Sequence, residues 1–456
     1  MQNQEVLQNP LAVDSVWKLL GKYAIPCVIS LLVNSLYNMV DQIFIGQGVG
    51  YLGNGATNII YPLTVIVLSI ALMLGDGGAS FLSLRLGEGK KEEGAKGIGS
   101  VITFSVVVGI IIAVLMAVFL EDLVYLFGCT ETLYPYAMDY GRIIIIGLPF
   151  VLVGTIFTAI ERADGSPQYS MVSLLVGAVT NTILDPIFIF VFQWGVKGAA
   201  LATIIGQIFT FLMGLNYIRR FRSIHLKKSD YKIHFHSCKK VMGLGISSFI
   251  TQMSIVIVMA VINSLLTKYG ALSEYGSEIP IAVVGIVIKV NQLVIAATVG
   301  IASGAQPIIG FNYGAGNIKR VKQTFRCVVI VAEILAVIAF ATYQLVPVQI
   351  ISIFGKESGL YNQFAELCFR IFLLATIFNG FQTVAALFMQ SIGRAVKSAV
   401  ISLSRQIIFL LPAEFILSSI LGILGVLWAG PVADTLAFIL AVAIVGRELK
   451  ILEKEV

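Results

Sequence analysis

The chain has 456 residues, 57% of them hydrophobic and only 12% charged, with a formal net charge of +6. A soluble chain of this length carries about twice that charge fraction, so a soluble globular protein is excluded. Apolar runs of about 20 residues recur along the whole length, and alternating strands of about ten do not, which makes this an all-α integral membrane protein and not a β-barrel.

Twelve spans are expected, at 17–45, 54–83, 97–120, 132–159, 168–192, 197–220, 238–268, 280–306, 318–343, 361–388, 395–420 and 424–447. The opening MQNQEVLQNP lacks a basic n-region, and the first apolar run is too long for an h-region, so no cleavable signal peptide is expected. Of the 31 Lys and Arg, 24 fall at the N-terminus, the even loops and the C-terminus. Four (Arg142, Lys197, Lys268, Lys356) fall near odd loops, and three (Lys289, Arg370, Arg405) fall inside spans. The positive-inside rule then places both termini in the cytoplasm, with Trp17, Trp194 and Trp428 at span ends as interfacial anchors. This asymmetry accounts for the positive charge, so no nucleic-acid partner is expected.

Span one ends in NSLYNMVDQIFIGQG, where Asp41 has no nearby base in sequence. An ionised Asp at a helix centre costs roughly 2.5–3.5 kcal/mol, so such a residue is a functional candidate. The loop after span two reads GEGKKEEG, which lacks the spacing of a phosphate-binding loop, since Lys90 is followed by Lys91. Span four carries Tyr140. Span five carries Asn181 and Asp185 on one face, with Asp185 nine residues before Trp194, about 13 Å below the outer end. Span six carries Thr203. All five residues (Asp41, Tyr140, Asn181, Asp185, Thr203) fall in the outer half of the first bundle. Pro186 removes a backbone donor and frees the carbonyl of Thr182. Carboxylate, amide and hydroxyl oxygens are hard ligands suited to Na⁺. Two close carboxylates also resist double ionisation, so the same group suits a proton. The alternative is structural: Asp41 as a helix-end cap and Asp185 as a hydrogen-bond partner of Asn or Thr. Arg142 is a possible partner for Asp185, with Asp139 nearer to it in sequence.

Spans six and seven are joined by the basic stretch RRFRSIHLKKSDYKIHFHSCKK, read as an ordinary cytoplasmic linker over 221–237 between an N-lobe (1–220) and a C-lobe (238–456). The three histidines fall here, and the five cysteines are scattered, so neither a disulfide framework nor a zinc pattern is implied. The halves repeat at an offset of 227: Gly87 and Gly89 with Gly314 and Gly316, LFG at 126–128 with IFG at 353–355, and Tyr134 with Tyr361; one residue more aligns Gly165 with Gly393. An even number of spans per repeat makes these parallel repeats, two pseudo-symmetric six-helix bundles about an axis along the membrane normal. In the second half Lys289, Arg370 and Arg405 are balanced by Glu333, Glu414 and Asp434, which favours structural pairing, with Arg405 and Asp434 level across spans eleven and twelve.

The twelve spans, LYNMVDQIFIGQ in span one, NTILDP in span five and the paired GxG loops resemble the multidrug and toxic compound extrusion family. SRQIIFLLP and GPVAD point within it to the bacterial MepA- and DinF-type branches rather than the NorM type. The resemblance implies a cation-coupled antiporter, driven by H⁺ or Na⁺, that exports organic, cationic drug-like compounds from the bacterial cytoplasm across the inner membrane. It implies no cofactor, no enzyme activity and no obligate protein partner. Family members bind the coupling ion at the N-lobe cluster, here Asp41, Tyr140, Asn181, Asp185 and Thr203, with Asp41, Asn181, Asp185 and Thr203 as Na⁺ ligands if sodium is the ion. Pro26 matches a proline at which relatives bend the first helix. NorM-type acids of spans seven and ten are replaced by Gln252 and Asn379, which concentrates coupling on Asp41 and Asp185. Substrate is expected near Asn34 and Tyr37. A flippase for lipid-linked or polysaccharide precursors shares this architecture, and a more basic cavity is expected of it; a passive channel is the third reading.

Overall fold

The computed structural model describes residues 9–276, 278–352 and 359–454. Helices α1 (Val16–Gly48), α2 (Tyr51–Gly87), α3 (Lys91–Val118), α4 (Tyr134–Ala163), α5 (Pro167–Pro186) and α6 (Gly195–Ile218) form the first bundle. The second has α7 (Phe235–Gly270), α8 (Glu278–Gly314), α9 (Ile318–Leu345), α10 (Gly359–Phe372 and Thr376–Ser391), α11 (Ala395–Leu403, continued by Leu411–Leu421) and α12 (Ile423–Lys454). Each expected span is a helix or a bent pair. Several run well past the hydropathic segment, α8 by eight residues beyond 306 to Gly314, because hydropathy marks the lipid thickness and not the helix end. The repeat match at 353–355, and Lys356, lie outside the described residues.

Three spans are not continuous α-helices, and in one of them, α5, the break falls at the Pro186 that the sequence marked for a bend. The halves of α10 meet at 48°, and past the break the Glu333 carboxylate accepts from the Phe381 N–H at 2.7 Å. α5 and α11 each carry a π-helical turn, Ile187–Val191 after Pro186 and Ser404–Leu410 before Pro412. Pro186 and Pro412 stand at nearly the repeat offset, and each lacks the N–H that regular helix needs. Pro26, by contrast, lies inside an unbroken α1.

The linker is bound rather than loose. The Asp164 carboxylate accepts from Tyr217 Oη (2.7 Å), Arg222 N (2.7 Å) and Ser223 N (2.8 Å). Burial pushes this carboxyl above its ordinary range, and those donors act against the shift. His234 N donates to Ser100 Oγ at 2.7 Å, and Phe221, Ile224 and Asp230 are buried. The stretch thus belongs to the first bundle up to the start of α7.

The bundles meet along a seam near the face that carries both termini. There Asn312 Nδ2 and Arg320 Nε of the second bundle bond Leu11 O, ahead of α1 (2.9 and 3.0 Å). The seam is built on backbone approaches that a side chain would obstruct. A Cβ on Gly77 of α2 would lie 2.1 Å from Val241 O of α7, and one on Gly245 of α7 would lie 1.8 Å from Met73 O. A Cβ on Gly304 of α8 would lie 2.5 Å from Ala24 Cα of α1, and one on Gly300 would lie 2.7 Å from Val28 Cα. Gly77 and Met73 stand 227 residues before Gly304 and Gly300, so α2 against α7 and α8 against α1 are one contact made twice. Residues 301–312 of α8 are all buried, so the seam seals this end.

Candidate functional site

The five cluster residues come together inside the first bundle. α5 and α6 cross backbone to backbone: a Cβ on Gly206 would lie 2.6 Å from Gly177 O and 3.2 Å from Asn181 Cβ. This close crossing sets Asn181 against Thr203. Asn181 Nδ2 donates at 3.3 Å to both Thr203 Oγ1 and Asp185 Oδ1. Asp41 of α1 and Tyr140 of α4 stand close to Asp185. Asp185, Asn181, Tyr140 and Asp41 are all buried.

The decisive feature is a shortage of donors. Asp41 Oδ1, Asn181 Oδ1 and Asp185 Oδ2 are buried with no hydrogen-bond partner among the described residues. Buried acceptors left unpaired cost about 1–3 kcal/mol each, and two carboxylates cannot both stay charged there without a counter-ion. A proton between the acids, or a small cation held by oxygens from Asp41, Asn181, Asp185 and Thr203, meets the need. The asparagine and threonine oxygens supply neutral ligands, and the two acids supply charge.

Sequence reasoning missed Gln207, whose Nε2 donates to Tyr37 Oη at 3.5 Å. Its signal was present, one turn after Thr203 on the same face. Tyr37 therefore stands near Asp41 and Asp185 and is joined to α6 through Gln207. Asn34 is half-buried, and its carbonyl accepts from the Asn38 amide at 2.6 Å. Asp139 pairs with Lys197 across the loop at 3.2 Å, not with Arg142, which is exposed.

A second polar group, Asp76 on α2, also escaped the sequence reading. Its carboxylate accepts from Ser248 of α7 at 2.9 Å and faces Arg162 of α4 at 3.7 Å. Gln306 of α8 donates to Asp76 O (3.2 Å) and Ser80 Oγ (2.8 Å). This network ties both bundles together across the seam.

In the second bundle, the one base–acid pair expected from depth forms, and the other charges find different surroundings. Arg405 Nε meets Asp434 Oδ1 at 2.7 Å, with the Asp434 side chain 9% exposed. Arg370 pairs with Glu366 on its own helix at 2.8 Å, Glu333 accepts from the Phe381 N–H, and both oxygens of buried Glu414 lack a partner among the described residues. Lys289 is exposed and makes no ion pair among the described residues. Counting charges by span ignored which way each side chain points. Arg405→Met is expected to cost on the order of 3 kcal/mol by stranding Asp434, and Arg405→Met with Asp434→Leu to recover most of it; thermal unfolding in detergent measures both.

Twelve spans in two related bundles, sealed at one end and holding a buried oxygen cluster, define a multi-pass secondary transporter rather than an enzyme. The sequence profile of the MatE family matches residues 26–187 and 244–416, and the chain belongs to that family. The multidrug export protein MepA of Staphylococcus haemolyticus is 24% identical over 439 residues, covering 95% of this chain and 94% of its own. MepA of Staphylococcus saprophyticus is 25% identical over 446 residues, with 95% and 94% covered. An outward-facing multidrug resistance MATE transporter of the MOP superfamily superposes with a TM-score of 0.90 at 22% identity, over 99% of this chain and 98% of that one. So does a MOP superfamily transporter from Pyrococcus furiosus, whose binding pocket is described as reversed in polarity, at 0.90, 22%, 97% and 98%.

Proposed function

We propose that this protein is a cation-coupled antiporter of the bacterial cytoplasmic membrane that exports small organic compounds by alternating access, with both termini in the cytoplasm. The three donor-less oxygens of Asp41, Asn181 and Asp185 carry the reading. H⁺ or Na⁺ entering from outside satisfies them and neutralises the acids. The free energy difference between the loaded and empty cluster then biases the bundles between two arrangements. The likeness to multidrug export proteins supports organic cargo, and the sealed terminal seam with polar residues exposed in the other half supports an outward-opening cleft.

The test is ethidium transport in proteoliposomes under an imposed Na⁺ gradient and, separately, a pH gradient. The expected result is transport driven by at least one gradient and lost in Asp41→Asn. Wild-type rates in Asp41→Asn, or flux indifferent to both gradients, sink the proposal.

A further inference from the structure

We propose that Lys289 lines the cleft between the bundles and selects cargo bearing a carboxylate, a specificity that rests on the transporter reading above. Lys289 lies eleven residues before Gly300 on α8, so it stands about 16 Å further from the seam and within about 20° of the same helix face. Gly300 points that face at α1 of the first bundle, against Val28. Lys289 therefore looks across at the other bundle, where the seam has ended and side chains are exposed.

The alternative surroundings for an exposed residue in mid-span are lipid, and beyond Ile281 near its start α8 shows none of the signs. The lipid-facing helices carry stripes of exposed apolar side chains, Val107, Ile111, Val114 and Val118 on α3, and Ile330, Ile334, Val337 and Ile338 on α9. On α8, from residue 283 to 314, no large apolar side chain is exposed among the described residues. Lys289 and Gln292, three residues on, are exposed instead. A lysine facing lipid at this depth is costly, and one facing water is not.

Its charge is uncommitted. Lys289 makes no ion pair and no hydrogen bond among the described residues. Asp41 cannot serve it: Asp41 lies thirteen residues beyond Val28 on α1, about 140° round the helix from the cleft face, and is buried in its own bundle. Gln252 of α7 lies seven residues beyond Gly245, on the same face within about 20°, and brings a second amide to the cleft. An ammonium with amides from Gln292 and Gln252 is a receptor for a carboxylate, and it favours cargo that carries one over the same cargo without it.

Two arms test this. The five native cysteines are buried, so in Lys289→Cys the introduced thiol is the one a membrane-impermeant methanethiosulfonate reagent reaches. Rapid modification is expected, and protection overturns the proposal. The second arm uses rhodamine 110, which carries a free carboxylate, and rhodamine 123, its methyl ester, with binding read by fluorescence polarisation on the purified full chain and export read in proteoliposomes. Lys289→Ala is expected to lower the affinity ratio of rhodamine 110 to rhodamine 123 about fivefold, the scale of a solvent-exposed ion pair. Lys289→Arg is expected to restore the ratio, and Lys289→Glu to invert it. A merely structural lysine changes both dyes together, and that result overturns the assignment. Selective binding without gradient-driven export overturns the antiport reading and leaves Lys289 in its role.

Discussion

Asp185→Asn is expected to abolish gradient-driven export while making the protein more stable. Coupling free energies of 1–3 kcal/mol correspond to changes of about 5–150-fold, so transport should fall to the leak within that range. Stability should move the other way. The substitution removes one of two buried acids and supplies an amide donor beside Asp41 Oδ1, which has no partner in the wild type. Relieving one unpaired buried acceptor is worth about 1 kcal/mol or more, seen as a rise of a few degrees in Tm in detergent. A purely structural Asp185, holding Asn181 in place, predicts the reverse: a lower Tm and transport retained. Measuring both quantities on one preparation separates the two roles, since no single defect in folding gives lost transport with a raised Tm.

The parts of this site legible in the sequence were those that depend on one helix at a time. Depth follows from the rise per residue and facing from the 3.6-residue period, which was enough to place Asp41, Tyr140, Asn181, Asp185 and Thr203 at one level of one bundle. Gln207 obeyed the same rule and was overlooked. Direction across helices was another matter. Lys289 and Glu414 read as members of one balanced set of charges, yet Lys289 is exposed and Glu414 is buried. Which face of α8 meets α1 is set by Gly300 and Gly304, and a glycine declares nothing about its partner until the partner is in place. Asp76 was hidden for the same reason, because its partners Ser248 and Gln306 come from two helices of the other bundle. The repeat offset did hold a clue: Gly87 and Gly314 match across halves, and each approaches the other's neighbourhood, a Cβ on Gly87 lying 2.0 Å from Phe311 O and one on Gly314 lying 2.3 Å from Leu84 O.

The backbone contact between α2 and α7 makes Gly245→Ala a strongly disruptive small change. The new Cβ would sit 1.8 Å from Met73 O, a backbone atom that no rotamer can move aside. Ordinary contact requires α2 and α7 to part by roughly 1.5 Å, and overpacking of this kind costs on the order of 1–3 kcal/mol. Only the arrangement with the seam closed bears that cost, so the population shifts toward the opposite opening by about ten- to a hundredfold. Spin labels at exposed Glu88 beside the end of α2 and exposed Lys240 on α7 report the change, with the distance between them expected to lengthen. Gly304→Ala, with its Cβ 2.5 Å from Ala24 Cα, should act alike through α1 and α8, because the pseudo-symmetry makes it the same wedge on the other side of the axis. Gly243→Ala is the control: nothing lies within 4 Å of its Cβ, it shares the helix, and replacing Gly within a helix favours the helical state. A seam that opens in the first two variants and stays shut in the third ties the closed end to these two backbone contacts. Equal behaviour in all three would show that the bundles are held elsewhere, with the Asp76 network the first place to look.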